Sequence, residues 1–315
     1  MEEIIDRFLS GDRRALARLI SIVENNSQQS THYLDQIYHR MGRAFRIGVT
    51  GPPGAGKSTL VDQLTKHYRK KEKKIGVIAI DPTSPFTGGA LLGDRIRMGD
   101  LATDPDVFIR SMATRGSQGG LCERSQEVAD LMDGFGFDIV ILETVGVGQS
   151  ELDIVEAADT TIVVLVPESG DSIQAMKAGL MEIADIFVLN KSDREGADRF
   201  LMELESILDF ADEKKKWKPP IVRTIANSGK GIIELHEQIA NYLHFLKTTD
   251  ILQKKKKKRI EIYIRHIIRE KLLARFWQPE ITKRLHSDLD KIMQKDISPY
   301  KLSELLIAQF LNNQK

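Results

Sequence analysis

The sequence has 315 residues, 41% of them hydrophobic, and a formal net charge of +1. This length suits a globular protein with a large core, and the balanced charge does not indicate a nucleic-acid-binding surface. The lone cysteine, Cys122, excludes an internal disulfide and favours a reducing compartment. No apolar run is long enough to span a membrane, and the acidic start fits no targeting peptide. We therefore expect a cytoplasmic protein with neither nucleic acid nor membrane as a partner.

Residues 1–40 have the apolar spacing of helices. Gly11 interrupts the pattern, and Asp12 is a candidate N-cap for the helix that follows. The apolar positions are Ile4, Ile5, Phe8, Leu16, Leu19 and Ile20. Since the segment carries no catalytic pattern, we expect an N-terminal helical segment that supports the rest of the fold.

The segment Gly51–Thr59 matches the P-loop pattern between an apolar strand and a helix. Its residues are Gly51, Pro52, Pro53, Gly54, Ala55, Gly56, Lys57, Ser58 and Thr59. Glycines let backbone N–H groups surround phosphate oxygens. Lys57 can reach the β- and γ-phosphates, and the Ser58 hydroxyl can hold Mg²⁺. The alternative is an ordinary glycine-rich turn between a strand and a helix.

Apolar strand candidates recur through the next two hundred residues, and most are separated by helical stretches. They cover 45–50, 75–80, 107–110, 138–142, 160–166, 185–189 and 221–225. Runs without polar alternation indicate strands that are covered on both faces. We predict an α/β domain over 41–247 with a doubly wound, mostly parallel sheet. Ligands of such sheets bind at the carboxyl ends of the strands.

Three carboxylates are placed to act on a metal ion or phosphate. Asp81 ends the second strand candidate, Asp94 lies in the glycine-rich loop 86–98, and Glu143 ends the fourth. Gly146 follows Glu143 at the spacing of a switch glycine that donates its N–H to a γ-phosphate. Solvated loop or strand-end carboxylates are the alternative. Val147 occupies the position of a water-orienting Gln, so intrinsic hydrolysis should be slow.

A guanine-reading pattern follows the sixth strand candidate. Asp193 can accept from the guanine N1–H and exocyclic amine, and Asn190 can bond N7 and neighbouring loops. The Lys191 stem can cover the base plane. Backbone N–H groups of the loop that contains Ala226 and Asn227 can read O6. Alone, the tetrapeptide occurs by chance in surface loops, but here it lies downstream of a P-loop.

The C-terminal part, 248–315, has a different composition. The run Lys254–Arg259 predicts the solvated start of a long helix, and a patch that binds nucleic acid or acidic lipid is the alternative. Apolar stripes over 260–273 and 302–310 leave surface that a second copy of the chain would cover. We expect a helical dimerisation arm.

Taken together, these motifs resemble the methylmalonyl-CoA mutase-associated GTPases, called MeaB in bacteria, MMAA in animals and sometimes ArgK. The matching blocks include Gly48–Thr59, Gly88–Met98, Met112–Leu121, Glu143–Glu151 and Gln174–Asp193. The resemblance implies a SIMIBI-type P-loop domain that binds GTP, GDP and Mg²⁺. It also implies a homodimer that loads and protects an adenosylcobalamin-dependent acyl-CoA mutase.

The resemblance further assigns roles to individual residues. It assigns catalysis to Lys57, Asp94 and Glu143. It assigns metal binding to Ser58, Asp81, Asp94 and Glu143. A further switch that signals to the mutase matches Pro167–Lys177.

Two other functions fit a P-loop. A P-loop kinase would need an acceptor site and usually lacks a guanine-reading motif. A nickel metallochaperone would want a His/Cys cluster, whereas the seven histidines show no such spacing.

Overall fold

The computed structural model describes residues 2–25, 29–81, 99–113, 124–144, 150–168, 180–210 and 216–312. These residues form two compact units, 1–252 and 253–315. The expected three-part division at residues 40 and 247 stays a prediction. No helix in the described ranges is long and apolar enough to cross a membrane.

The first unit is built on a parallel sheet, which has seven strands in the part of the chain described. The strands are β1 Phe45–Thr50, β2 Ile75–Asp81, β3 Val107–Ala113, β4 Ile139–Glu143, β5 Thr160–Leu165, β6 Ile186–Leu189 and β7 Ile221–Arg223. Their spatial order is β3-β2-β4-β1-β5-β6-β7, and every adjacent pair is parallel. The predicted doubly wound α/β class is therefore confirmed.

Two strands end more than one residue away from the sequence prediction. β3 continues through Ala113 because its residues keep pairing with β2 as far as Asp81, so Ser111, Met112 and Ala113 belong to the strand. β7 ends earlier, at Arg223, because Ile225 turns away to bridge Lys230 in antiparallel fashion.

Helices cover the sheet in the first unit. They are α1 Glu2–Leu9, α2 Arg13–Glu24, α3 Ser30–Ile37, α4 Lys57–Arg69, α5 Gly99–Ala102, α6 Ser125–Phe135, α7 Ser150–Ala157, α8 Leu180–Ile183, α9 Ala197–Phe210 and α10 Ile232–Thr248. Single 3₁₀ turns cover Tyr38–Arg40 and Ala226–Ser228. The Asp12 side chain accepts from the Arg14 backbone N–H at 2.8 Å, which confirms the predicted cap of α2.

Side-chain alternation along the strands divides the core between the faces of the sheet. In β5, Ile162 and Val164 pack with α4 and α10, whereas Val163 and Leu165 pack with α9. Apolar residues of α1, α2 and α3 join α6 and the strands β2 and β4 in a further cluster. The N-terminal helices therefore share a core with the sheet.

A buried carboxylate fastens the chain just before β1. Asp133 on α6 accepts hydrogen bonds from the backbone N–H groups of Gly42, Arg43 and Ala44, at 2.6, 3.0 and 2.9 Å. The buried Arg46 guanidinium pairs with Asp130 on the same helix. These bonds fix where β1 enters the sheet, and hence where the loop that follows it emerges.

The second unit consists of α11 Ile251–Phe276, α12 Pro279–Met293 and α13 Pro299–Asn312. A small core of Ile281, Leu302 and Leu306 holds α12 and α13 together, with Phe276 and Phe310 packed against it. The lysine run lies in α11, so the predicted long helix is present.

Two histidines in the first unit face each other. The rings of His67 on α4 and His236 on α10 lie 4.7 Å apart, and Lys71 Nζ lies 2.9 Å from His236 Nε2. Burial, followed by the nearby Lys71 charge, lowers the pKa of both imidazoles. The unfolded chain therefore binds protons at a higher pH than the folded chain does.

We expect the free energy of unfolding to be highest above the ordinary histidine pKa of about 6.5 and to fall as the pH drops below it. Replacing His236 with Phe keeps a ring in place but removes a titrating group. The measurement is the urea midpoint at pH 7.5 and at 5.5, which should differ less in His236→Phe than in the wild type. His39→Gln, at an exposed histidine, should keep the wild-type difference. An unchanged difference in His236→Phe would contradict this assignment.

Candidate functional site

The carboxyl ends of the central strands open into a cleft with a cavity volume of about 470 Å³. This volume lies in the range of small-molecule sites, roughly 300–1,000 Å³. The predicted residues that line it are Pro53, Gly54, Gly56, Lys57, Ser58, Thr59, Glu143, Asn190, Lys191, Asp193, Ala226 and Asn227. The structure thus brings together Pro53 and Asn227, which lie 174 residues apart in the sequence.

The loop between β1 and α4 forms one wall of the cleft. Gly51 and Gly56 have φ angles of 136° and 87°, which favour glycine. A Cβ at Gly51 would overlap the Val164 carbonyl oxygen, and one at Gly56 would overlap the Asn190 amide. Both glycines are therefore required by close approach as well as by backbone conformation.

The Lys57 ammonium is bonded to the first residues of this loop, and Lys57 lines the cleft. It donates to the carbonyl oxygens of Gly51 and Pro52 at 2.9 and 3.0 Å. Lys57 opens α4, where N–H groups and the helix dipole favour an anion. The wall is therefore suited to bind phosphate groups.

The Ser58 hydroxyl and the Glu143 carboxylate contact each other next to the P-loop wall. Ser58 Oγ donates to Glu143 Oε1 at 2.6 Å, and both side chains are buried. Thr144 follows Glu143 and donates through its hydroxyl to Thr50 Oγ1 at 2.9 Å, which joins β4 to the start of the loop. Hard oxygen donors of this kind suit Mg²⁺, which typically takes one or two carboxylates in addition to substrate phosphates.

Part of the predicted metal set cannot be placed. Asp81 ends β2, but its side chain lies outside the described residues, as do Asp94 and Gly146. Within the described ranges, no group of three or more His, Cys, Asp or Glu side chains could hold a metal ion. The glycine-rich segments 86–98 and 114–121, residue Val147 and residues 169–177 also fall outside the description.

Asn190 connects the two walls of the cleft. Its Nδ2 donates to the Ala55 carbonyl at 2.8 Å, and its Oδ1 accepts from Thr224 Oγ1 and the Ala226 N–H, both at 3.0 Å. The side chain is 2% exposed. One amide therefore fixes the P-loop against the loops after β6 and β7.

Lys191 and Asp193 complete the second wall. Lys191 has a φ of 55° and donates from Nζ to the Gly54 carbonyl at 2.8 Å, so its aliphatic stem crosses the cleft. Asp193 is exposed on the lining. A planar base can lie along the stem with its edge at the carboxylate.

Sequence reasoning did not select four lining residues, namely Ile80, Thr144, Arg194 and Ile225. Each is adjacent in sequence to a selected residue or ends a strand. The rule that parallel strands present their carboxyl ends to a ligand would have found Ile80 and Thr144.

Comparison with known proteins decides the family. The model of the methylmalonyl-CoA mutase-associated GTPase MeaB matches residues 16–280. The chain belongs to the MeaB family. It is a GTPase of the P-loop SIMIBI class, and membership implies binding of GTP and GDP.

Individual relatives extend over nearly the full chain. A Pyrococcus abyssi protein provisionally named a GTPase is 48% identical over 99% of this chain and 97% of its own length. The mouse mitochondrial homolog of methylmalonic aciduria type A is 31% identical over 98% of this chain and 80% of its own length. A solved structure described as an LAO/AO transport system kinase superposes with a TM-score of 0.72 at 29% identity, covering 99% of this chain and 97% of the other.

Because Asn190 holds both walls of this MeaB-family cleft, Asn190→Ala should lower GDP affinity at least about tenfold. The change leaves buried partners without hydrogen bonds, at a cost of about 1–3 kcal/mol. Titration with a fluorescent GDP analogue measures the effect, and thermal unfolding shows whether the fold persists. Asn241→Ala, at an exposed asparagine of α10, is the matched control. Wild-type affinity in Asn190→Ala would contradict the connecting role.

Proposed function

We propose that this MeaB-family GTPase hydrolyses GTP to GDP to gate cofactor loading and protection of an adenosylcobalamin-dependent acyl-CoA mutase. The observation that carries the nucleotide part is the Asn190 amide, which joins a phosphate-type loop to a guanine-type loop. The mutase part is supported by the family description, which names a methylmalonyl-CoA mutase. The cytoplasm is the proposed compartment.

In the phosphate half, backbone N–H groups of the P-loop would bind the β- and γ-phosphate oxygens. Lys57 would exchange its carbonyl partners, Gly51 and Pro52, for these oxygens and stabilise the charge that develops during transfer. Gly146 would donate its N–H to the γ-phosphate.

Ser58 and Glu143 would hold Mg²⁺, with Asp81 and Asp94 as the further carboxylates that the family resemblance assigns. When bound, this ion neutralises phosphate charge. The buried hydrogen bond between Ser58 and Glu143 keeps the two oxygens together at the end of the P-loop.

In the base half, Asp193 would accept from the guanine N1–H and exocyclic amine. Adenine offers no such pair of donors. The Lys191 stem would cover one face of the ring, while the backbone at Ala226 and Asn227 would approach O6. Unpaired polar groups at a mismatched base can give discrimination of about 10⁴-fold.

One similar structure favours a second function, because its description names a transport system kinase. Asn190, Lys191 and Asp193 favour a guanine nucleotide and thus the GTPase. The two functions differ in where the γ-phosphate goes. Release of all label from γ-labelled GTP as inorganic phosphate supports hydrolysis, and label on an acceptor supports a kinase.

The proposed homodimer would form through the second unit. α11 has 26 residues and none of them is buried. Ile260, Ile264, Ile268 and Leu272 recur every four residues and are about half exposed. An apolar stripe of this kind is stabilised when a partner covers it, and a second copy offers the same stripe.

Asp193→Asn should change base preference from guanine toward xanthine, because an amide can donate to the xanthine O2 where guanine presents an amine. Competition of GDP, XDP and ADP against a fluorescent analogue measures the preference. Asp198→Asn, at an exposed aspartate of α9, should keep the wild-type order. Comparable wild-type affinities for GDP and ADP would refute the guanine assignment.

The cognate mutase should accelerate single-turnover GTP hydrolysis at least about tenfold, or ~1.4 kcal/mol of barrier. A partner can shift the enzyme only by the free energy with which it prefers the active arrangement. Asp171→Ala and Gln174→Ala should reduce this stimulation more than they reduce basal hydrolysis. Equal rates with and without purified mutase would leave a GTPase that lacks this coupling.

A further inference from the structure

An ion pair connects the base-side wall of the cleft to the end of a neighbouring strand. Arg194 Nη1 pairs with Glu168 Oε1. Glu168 lies three residues beyond the end of β5, and Arg194 lines the cleft directly after Asp193. The hydrogen bond from Arg194 lowers the pKa of the Glu168 carboxyl, so this carboxylate stays charged near neutral pH.

The pair restrains a short turn at one end. The Arg194 N–H donates to the Lys191 carbonyl at 3.0 Å, which closes the turn, and the Ser192 N–H donates to the Thr224 carbonyl at 3.1 Å. Asp193 therefore lies between a residue fixed through its backbone and a residue held through its side chain.

We propose that Glu168 is a positioning residue for base specificity. Through Arg194 it holds the Lys191–Arg194 turn so that Asp193 faces the guanine edge. The inference rests on the proposed reading of guanine by Asp193. Glu168 also belongs to the segment 167–177 that is proposed to signal to the mutase. The ion pair would therefore link base recognition to that segment.

The experiment compares GDP with IDP, which lacks the exocyclic amine that Asp193 would bind. Glu168→Gln removes the charge and keeps the shape. We expect the wild type to prefer GDP, and Glu168→Gln to reduce the GDP/IDP affinity ratio about threefold, a size typical of a half-exposed ion pair. The loss should be larger for GDP than for IDP, because hypoxanthine keeps the N1–H that Asp193 would bind but lacks the exocyclic amine.

A charge reversal and a matched control complete the design. The double variant Glu168→Arg with Arg194→Glu should recover part of the ratio lost in Glu168→Gln. Glu203→Gln breaks a comparable exposed pair, with Arg199 on α9, and should keep the wild-type ratio.

The outcomes separate this inference from the proposed function. A wild type that prefers GDP to ADP, together with a Glu168→Gln ratio equal to that of the wild type, overturns only the positioning role. Equal weakening of GDP and IDP also overturns it, since that result indicates a general structural effect. Wild-type binding of GDP and ADP with the same affinity overturns both proposals.

Discussion

The buried Asn190 amide is the interaction on which the cleft depends. It donates to the P-loop at Ala55 and accepts from Thr224 and Ala226, so loops from three strands share one side chain. Such an amide is costly to bury unless all its bonds are made. The loops must therefore come together as a set, because separating the P-loop from the base wall would take the Ala55 acceptor away from the Asn190 amide.

The sheet sets the distance between these loops. β1 lies between β4 and β5, so Glu143 at the end of β4 reaches Ser58 at the start of α4. β6 lies on the other side of β5, which brings Asn190 to the opposite wall. Asp133 on α6 accepts from the backbone just before β1 and so ties the entry of β1 to that helix. A segment without catalytic residues thus helps to fix the P-loop.

The two ends of the cleft carry groups of opposite charge. Lys57, the α4 N-terminus and the P-loop amides form an anion-binding end. Asp193 lies on the lining of the other end, where we propose that it accepts from two guanine donors. The exposed Glu168–Arg194 pair lies at this second end, and Glu168 belongs to the segment 167–177 that is proposed to signal to the mutase. The proposed base recognition and the proposed partner control therefore involve the same side of the cleft.

The sequence by itself determined the fold class, the P-loop and the family, and it predicted the guanine-type loop, because these depend on local patterns. Apolar runs predict covered strands, and the glycines of Gly51–Gly56 predict a phosphate loop. Only the tertiary structure decided that Asn190 spans two walls, that Ser58 bonds Glu143 and that Glu168 meets Arg194. These contacts join residues 26 to 135 positions apart. No local pattern encodes such partners, since strand order and loop direction place them together.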